Sequence, residues 1–339
     1  MALVTIGPAY PGEVRDMAAF DVSDADSQAA ISRSPTQFVN SPYAGDQFTW
    51  TGLNLTYDAA GHLTGGTLTG ASEVDAGVNV FSITGLNVTA PVTDAQSFLQ
   101  NAFSGADTIL GNVNPDNLLG YGGADSIDGG AGDDSLSGGD GDNSLDGGTG
   151  NDVILGGSGQ DSVRGLDGND SIDGAAGDDN LNGNKGDDTV HGGLGADFVR
   201  GGQGNDLVFG EDGDDVHVNG NIGNDTVHGG NGADTVFGGQ NDDQVFGDDG
   251  NDYLSGDLGN DTLTGGNGAD SFHLGFNSSH DYVTDFKASE GDRVVLDHGA
   301  TYTVAQSGAD TVITLGGGEQ LTLQGVDASS LPQGWLVVT

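Results

Sequence analysis

From residue 107 onward a large apolar side chain recurs at every ninth position: Ile109, Leu118, Ile127 and Leu136 open the series, Val190, Val199 and Val208 continue it, and Leu254, Leu263 and Phe272 close it. Two residues before each lies an aspartate, at 107, 116, 125 and 134 and from 152 to 270, with Asn143 the one exception. The three residues centred on each apolar position read as a short strand, with one side chain inward and its neighbours outward. The six between, as in "GGAGDD" (129 to 134) or "GGLGAD" (192 to 197), read as a turn, because glycine takes φ > 0 without penalty.

The step of nine fails once. After Asp215 the aspartate series resumes at Asp225, ten residues on. Counting back from Asp225 puts Val218 at the apolar position and the surplus residue at Val216. The spacing predicts a one-residue bulge that kinks the stack between thirteen repeats and six, and a metal ladder that skips a rung there.

A single pair of repeats cannot bury its own apolar residues, so two repeats to a coil and coil upon coil are required. The core so formed is a thin ribbon that is insufficient to offset the entropy of fixing so many glycines. The charge supplies the rest of the picture. The chain of 339 residues carries 52 acidic side chains against 7 basic ones, a net charge of -45, and it has no cysteine for a disulfide or thiolate site. Such a chain is repelled by nucleic acid and anionic lipid and seeks metal cations.

Loops n and n+2 fall on the same side of the stack, where their carboxylates and carbonyls form an oxygen-lined gap suited to Ca2+ rather than Mg2+. The expected carboxylate ligands are Asp125, Asp134, Asp152, Asp161, Asp170, Asp179, Asp188, Asp197, Asp206, Asp215, Asp225, Asp234, Asp243, Asp252, Asp261 and Asp270. Turn carbonyls such as those of Gly129, Gly147, Gly156, Gly192, Gly201, Gly229, Gly238 and Gly265 complete the set. Residues 105 to 275 hold 34 acidic and 3 basic residues, a net of -31, and nineteen loops allow at most 17 divalent ions, or +34. Weaker sites are expected at the glycine-poor loops 102–107 and 111–116, at Asn143, and at Asn241, which replaces a turn glycine.

The consensus G-G-x-G-x-D-x-U-x resembles the repeat of the RTX (repeats-in-toxin) family, over about half the chain and in nineteen matches. The resemblance implies an all-β fold: a right-handed parallel β-roll, or RTX solenoid, over 105–275, with calcium in its turns and export through type I secretion machinery. Without calcium the acidic tract is expected to be disordered.

The flanks differ in pattern. Residues 1–104 read as a small β-rich N-terminal domain, with a hairpin over 47–70 and a short helix near 93–103. Residues 276–339 read as a β C-terminal cap over Phe272 and the open strand edge, with a hairpin in 309–327. The segment from Asp281 resembles those that close many RTX rolls, and the terminal "WLVVT" reads as a secretion signal, a final edge strand, or both.

No H-E-x-x-H, G-x-S-x-G or cysteine nucleophile is present, so no catalytic residue is assigned and the chain is read as no enzyme. His191, His228 and His273 share the position after the apolar residue and are read as outward-facing, a ladder for a transition metal being the lesser alternative. Eighteen consecutive apolar residues occur nowhere, so no membrane span is expected.

The function expected is a secreted calcium-binding structural protein, folding on calcium outside the cell and assembling through its end domains into a surface layer, filament or extracellular matrix. The alternative is an adhesin or glycan-binding accessory protein, with Trp50 and Tyr57 on a stacking surface. An enzyme with an unrecognised site in 1–104 comes third.

Overall fold

The computed structural model describes residues 105–339 except Asn112, Asn277 and Ser278, and ahead of them the backbone of seven strands between Leu3 and Thr89. In that region Gln47–Tyr57 pairs antiparallel with Leu63–Asp75, which pairs in turn with Val78–Thr89. The hairpin anticipated over 47–70 is therefore present in the backbone. The helix expected near 93–103 and the side chains of Trp50 and Tyr57 lie outside the described residues.

The chain divides into two compact units, residues 1–162 and 163–339. In the first, Thr108–Leu110, Ser126–Ala131 and Ser144–Thr149 form one parallel ladder. Asp116–Leu119, Ser135–Asp140 and Val153–Ser158 form a second. Ile127 lies opposite Leu145, so one coil takes two nonapeptides. Leu3–Ile6 adds to Thr108–Leu110 in parallel and covers the first strand edge.

In the second unit one sheet runs from Asn180–Lys185 through Phe198–Gln203, His217–Ile222, Thr235–Gln240, Tyr253–Leu258 and Ser271–Leu274. The other runs from Ser171–Ala176 through Thr189–Leu194, Leu207–Asp212, Thr226–Gly232, Gln244–Gly250 and Thr262–Asn267. Parallel pairing does not stop with the last nonapeptide. Arg293–Leu296 and then Leu336–Val338 extend the first sheet, while His280–Val283 and then Gln320–Leu323 extend the second. The terminal "WLVVT" therefore contributes a strand to the first sheet. The hairpin anticipated near the C-terminus is Asp310–Leu315 with Gln320–Leu323.

Every apolar position of the repeat is buried, from Ile109 at 2% exposure to Phe272 at 0%. Phe286 lies 6.0 Å from Phe272, ring to ring, and Trp335 meets Phe286 edge-on at 6.3 Å, so the segment after the repeats closes the end of the apolar ribbon.

One expectation needs correction. Most strands of the repeat are six residues long, as in Phe198–Gln203 (FVRGGQ), and not three. They take in the first two glycines of the turn, because with a period of two the aspartate, the apolar residue and the first glycine all point inward. The glycine must be inward and without a side chain, because that space holds the aspartate carboxylate.

The slip falls where the spacing placed it. Val216 is 59% exposed and Val218 wholly buried, so the surplus residue is looped out where it was expected. The hydrogen-bond ladder between the aspartates is unbroken there. Asp206 and Asp215 donate their N–H groups to Asp225 and Asp234, each 19 residues on, at 2.8 Å. Val216 N–H bonds the Asp197 carbonyl at 3.2 Å, the acceptor that the residue before the apolar position serves in other coils.

Candidate metal centre

The repeat aspartates are fixed by the backbone of the coil before them. Asp116 N–H donates to Asp134 Oδ1 and Asp134 N–H to Asp152 Oδ1, both at 2.8 Å. The same contact joins Asp170 to Asp188, Asp179 to Asp197, Asp188 to Asp206 and Asp243 to Asp261 at 2.8–2.9 Å. Asn143 N–H likewise bonds Asp161 at 2.8 Å. One oxygen of each carboxylate is thus committed to holding the stack.

At many of them the other oxygen is not. Oδ2 of Asp125, Asp134, Asp188, Asp197, Asp206, Asp215, Asp225, Asp234, Asp243, Asp252, Asp261 and Asp270 is buried without a hydrogen-bond partner. An isolated buried anion of this kind is costly. Burial is the main cause that pushes Asp125, Asp188, Asp225, Asp234 and Asp270 up to about 6. It pushes Asp134, Asp206, Asp215 and Asp252 up to about 7 and Asp243 to about 8, against the lowering effect of the N–H that each accepts.

What faces these oxygens is also oxygen. A methyl group on Gly229 would lie 2.8 Å from both Asp234 Oδ2 and the Gly247 carbonyl oxygen, one coil on. On Gly192 it would lie 2.6 Å from both Asp197 Oδ2 and the Gly210 carbonyl. The carbonyls of Gly129, Gly147, Gly156, Gly192, Gly201, Gly229 and Gly265 point in the same way at the inward glycine of the preceding coil. Gly238 is itself such an inward glycine, facing Asp243 Oδ2 and the Gly256 carbonyl. A carboxylate oxygen beside a carbonyl oxygen suits a hard cation or, failing that, a proton on the carboxyl. Among the described residues no three His, Asp or Glu side chains converge on one point. A cation here would take its remaining donors from main-chain carbonyls, as calcium's six to eight oxygen ligands allow.

Asn143 tests this logic from inside the chain. Its Oδ1 accepts from Asp125 N–H at 3.0 Å, keeping the ladder, while its Nδ2 donates to the Gly141 carbonyl at 2.8 Å. The amide fills its own gap and leaves no orphan oxygen. Asn241 takes the left-handed φ of 82° that the replaced glycine would have taken.

Two carboxylates escape a strict nine-residue search. Asp261 and Asp270 N–H donate to Asp281 and Asp292, both at 3.1 Å, across 20 and 22 residues. Asp281 is 1% exposed with an unpartnered Oδ2, and its pKa is raised by burial and by Asp261. The D-x-U triplet would have found them, since Val283 and Val294 are buried two residues later, although the spacing is irregular.

The histidines do not form one ladder. His191 and His228 lie in one sheet, interleaved with Phe209 at ring distances of 4.7 and 5.2 Å, while His273 lies in the other. Their partners are Glu211, Asp248 and Asp297 at 2.6, 2.8 and 3.1 Å.

The RTX calcium-binding nonapeptide repeat, taken four copies at a time, matches overlapping stretches from 101–136 to 191–216 and again from 219–254 to 246–278, just over half of the chain. This chain belongs to the RTX family. The RTX matches break at residues 217 and 218, beside the looped-out Val216, and RTX repeats of this kind bind calcium. No curated protein matches the chain. Among solved structures, the AlgE6R3 subunit of the Azotobacter vinelandii mannuronan C5-epimerase is similar at 26% identity, over 34% of this chain and 77% of that one, with a TM-score of 0.28. The extracellular lipase LipA of Serratia marcescens is similar at 20% identity, over 58% of this chain and 40% of that one, with a TM-score of 0.24. Among the described residues of this RTX protein no helix is long and apolar enough to cross a membrane.

Proposed function

We propose that this RTX protein is an exported structural protein whose roll folds on calcium and whose end segments mediate assembly into a surface layer, filament or matrix. The observation that supports it most is the row of buried, partnerless Oδ2 atoms running through the repeats. In a metal-free roll at neutral pH these carboxyls either stay ionised without a partner or take up a proton, and both cost stability that a bound cation restores. The aspartates from Asp125 to Asp270, with the inward-row glycine carbonyls one coil on, would hold it. Calcium bound there supplies positive charge and a cross-link between successive coils.

In a cytosol low in calcium, sites with dissociation constants of about 0.1 to 1 mM stay empty and the chain stays unfolded, which suits passage through a secretion channel. Outside, filling the loops folds the roll. Negative-stain microscopy with and without millimolar calcium tests the assembly, and monodisperse single particles at high concentration in calcium would overturn it. Circular dichroism in chelator at neutral pH tests the coupling, and a roll already folded there would contradict it.

A second reading, a glycan-binding accessory protein, draws support from a trough of about 550 Å³ on the outer face of one sheet. Asn182, Asn219, Asn221 and Gln240 line it with Arg200 and Asp257 as its charged residues. A glycan array probed with the calcium-loaded protein decides between the two.

A further inference from the structure

Among the described residues the second sheet ends on a strand that is paired on one side only. Tyr302–Ser307 pairs antiparallel with Asp310–Leu315 and is the last strand in its sheet. Gly316 N–H bonds the Thr301 carbonyl at 2.8 Å, which fixes the alternation. Thr303, Ala305 and Ser307 bond inward, and the N–H and C=O groups of Tyr302, Val304 and Gln306 point away from the sheet.

Protein edges are ordinarily protected by a lysine, a proline, a bulge or an inward charge. This one has none of them. The sequence "YTVAQS" is uncharged, its register is unbroken, and every residue is exposed. Across residues 299–339 the only charges are Asp310, Glu319 and Asp327, in a chain whose net charge is -45. The density of negative charge here is below that of the chain as a whole.

The side chains agree with the backbone. Tyr302 and Val304 lie opposite Leu315 and Ile313, on the face of the hairpin that is buried. That apolar face runs past Ile313 and Leu315 onto Tyr302 and Val304, where it stops at 44% and 39% exposure. At the far end of the strand Gln306 Oε1 accepts from Ala328 N–H at 2.8 Å, so the loop 326–330 caps that end and leaves Tyr302 and Val304 bare.

We propose that Tyr302–Ser307 is a self-association edge, pairing antiparallel with the same strand of a second copy of this chain about a twofold axis at Val304. Val304 then faces Val304 and Tyr302 faces Gln306, each exchanging the two hydrogen bonds now directed outward. The two sheets become one, and each copy's Tyr302 and Val304 extend the other's apolar face. A second copy fits better than a foreign peptide because the exposed surface is self-complementary in both hydrogen bonding and lack of charge. The inference deepens the assembly half of the proposed function by naming the surface. A twofold contact closes on itself, so it produces dimers, and a layer or filament would need a second interface.

The test uses the full chain loaded with calcium, in sedimentation equilibrium over a range of concentrations. The wild type is expected to dimerise, and Val304→Pro and Val304→Lys each to weaken the dimer by more than about tenfold. Because the Val304 N–H points outward, the proline removes no bond within the fold, and an unchanged calcium-induced circular dichroism signal confirms that. The absence of native cysteine allows a cross-link: under mild oxidation Val304→Cys gives a disulfide dimer, because directly opposed residues in a bonded pair lie about 5.5 Å apart at Cα, and Thr303→Cys does not. If the wild type self-associates, the variants do so equally and Val304→Cys stays uncross-linked, the edge inference falls and the assembly reading stands. A wild type that is monomeric at every concentration overturns both.

Discussion

Replacing one buried aspartate by asparagine should move stability in opposite directions with and without calcium. Asp234 is the clearest position: 2% exposed, its Oδ1 engaged by Asp215 N–H and its Oδ2 partnerless. Burial raises its carboxyl from 3.8 to about 6. A raised carboxylate disfavours the folded state once the unfolded chain has ionised, so the penalty is absent below about pH 4, grows toward pH 6 and is complete above it. Roughly two pH units at about 1.4 kcal/mol each put that penalty near ~3 kcal/mol at neutral pH, and near ~1.5 kcal/mol at about pH 5.

Asp234→Asn removes it, and the Asn143 arrangement shows how an amide satisfies itself in this loop, here with the Gly232 carbonyl as acceptor. Urea unfolding of the metal-free chain, followed by circular dichroism at about pH 5, should show the variant more stable by ~1.5 kcal/mol, with the difference vanishing toward pH 3.5. In calcium at neutral pH the sign reverses, because the variant has lost an anionic oxygen, and it should need more calcium to fold. A variant no more stable than wild type in chelator, or a gain that does not shrink with acid, would refute the reasoning.

The reciprocal change, Asn143→Asp, should add one calcium to the stoichiometry counted by native mass spectrometry and raise the calcium concentration dependence of folding near neutral pH. Protons and calcium compete for the same oxygens, so calcium affinity measured by calorimetry should fall as pH drops through the range 8 to 6 spanned by Asp243, Asp252 and Asp234, with proton release on binding. Leu254→Ala, at a wholly buried position, should cost about 2–5 kcal/mol in the calcium-loaded protein by urea denaturation. Deleting Val216 should leave the calcium-induced fold intact, since its side chain is exposed and the N–H of His217 can take over the bond to Asp197; loss of calcium-induced folding would show that the slip is required.

Spacing alone determined the solenoid, its two repeats per coil, the buried row from Ile109 to Phe272 and the looped-out Val216, because a period-two strand and a fixed coil length translate position directly into orientation. It also placed the aspartates, although not what they do. That Oδ1 is spent on the neighbouring coil's N–H, while Oδ2 is left against a carbonyl, follows from the stacking distance between coils and has no signature in the linear chain. The same holds for the unbroken ladder across the slip, where neighbouring backbone absorbs one residue without moving a carboxylate. It holds also for Asp281 and Asp292, brought into line by coils of irregular length, and for the bare edge at Tyr302–Ser307. Periodicity is local and is written in the sequence, whereas partnership between groups 18 to 22 residues apart exists only once the coils are stacked.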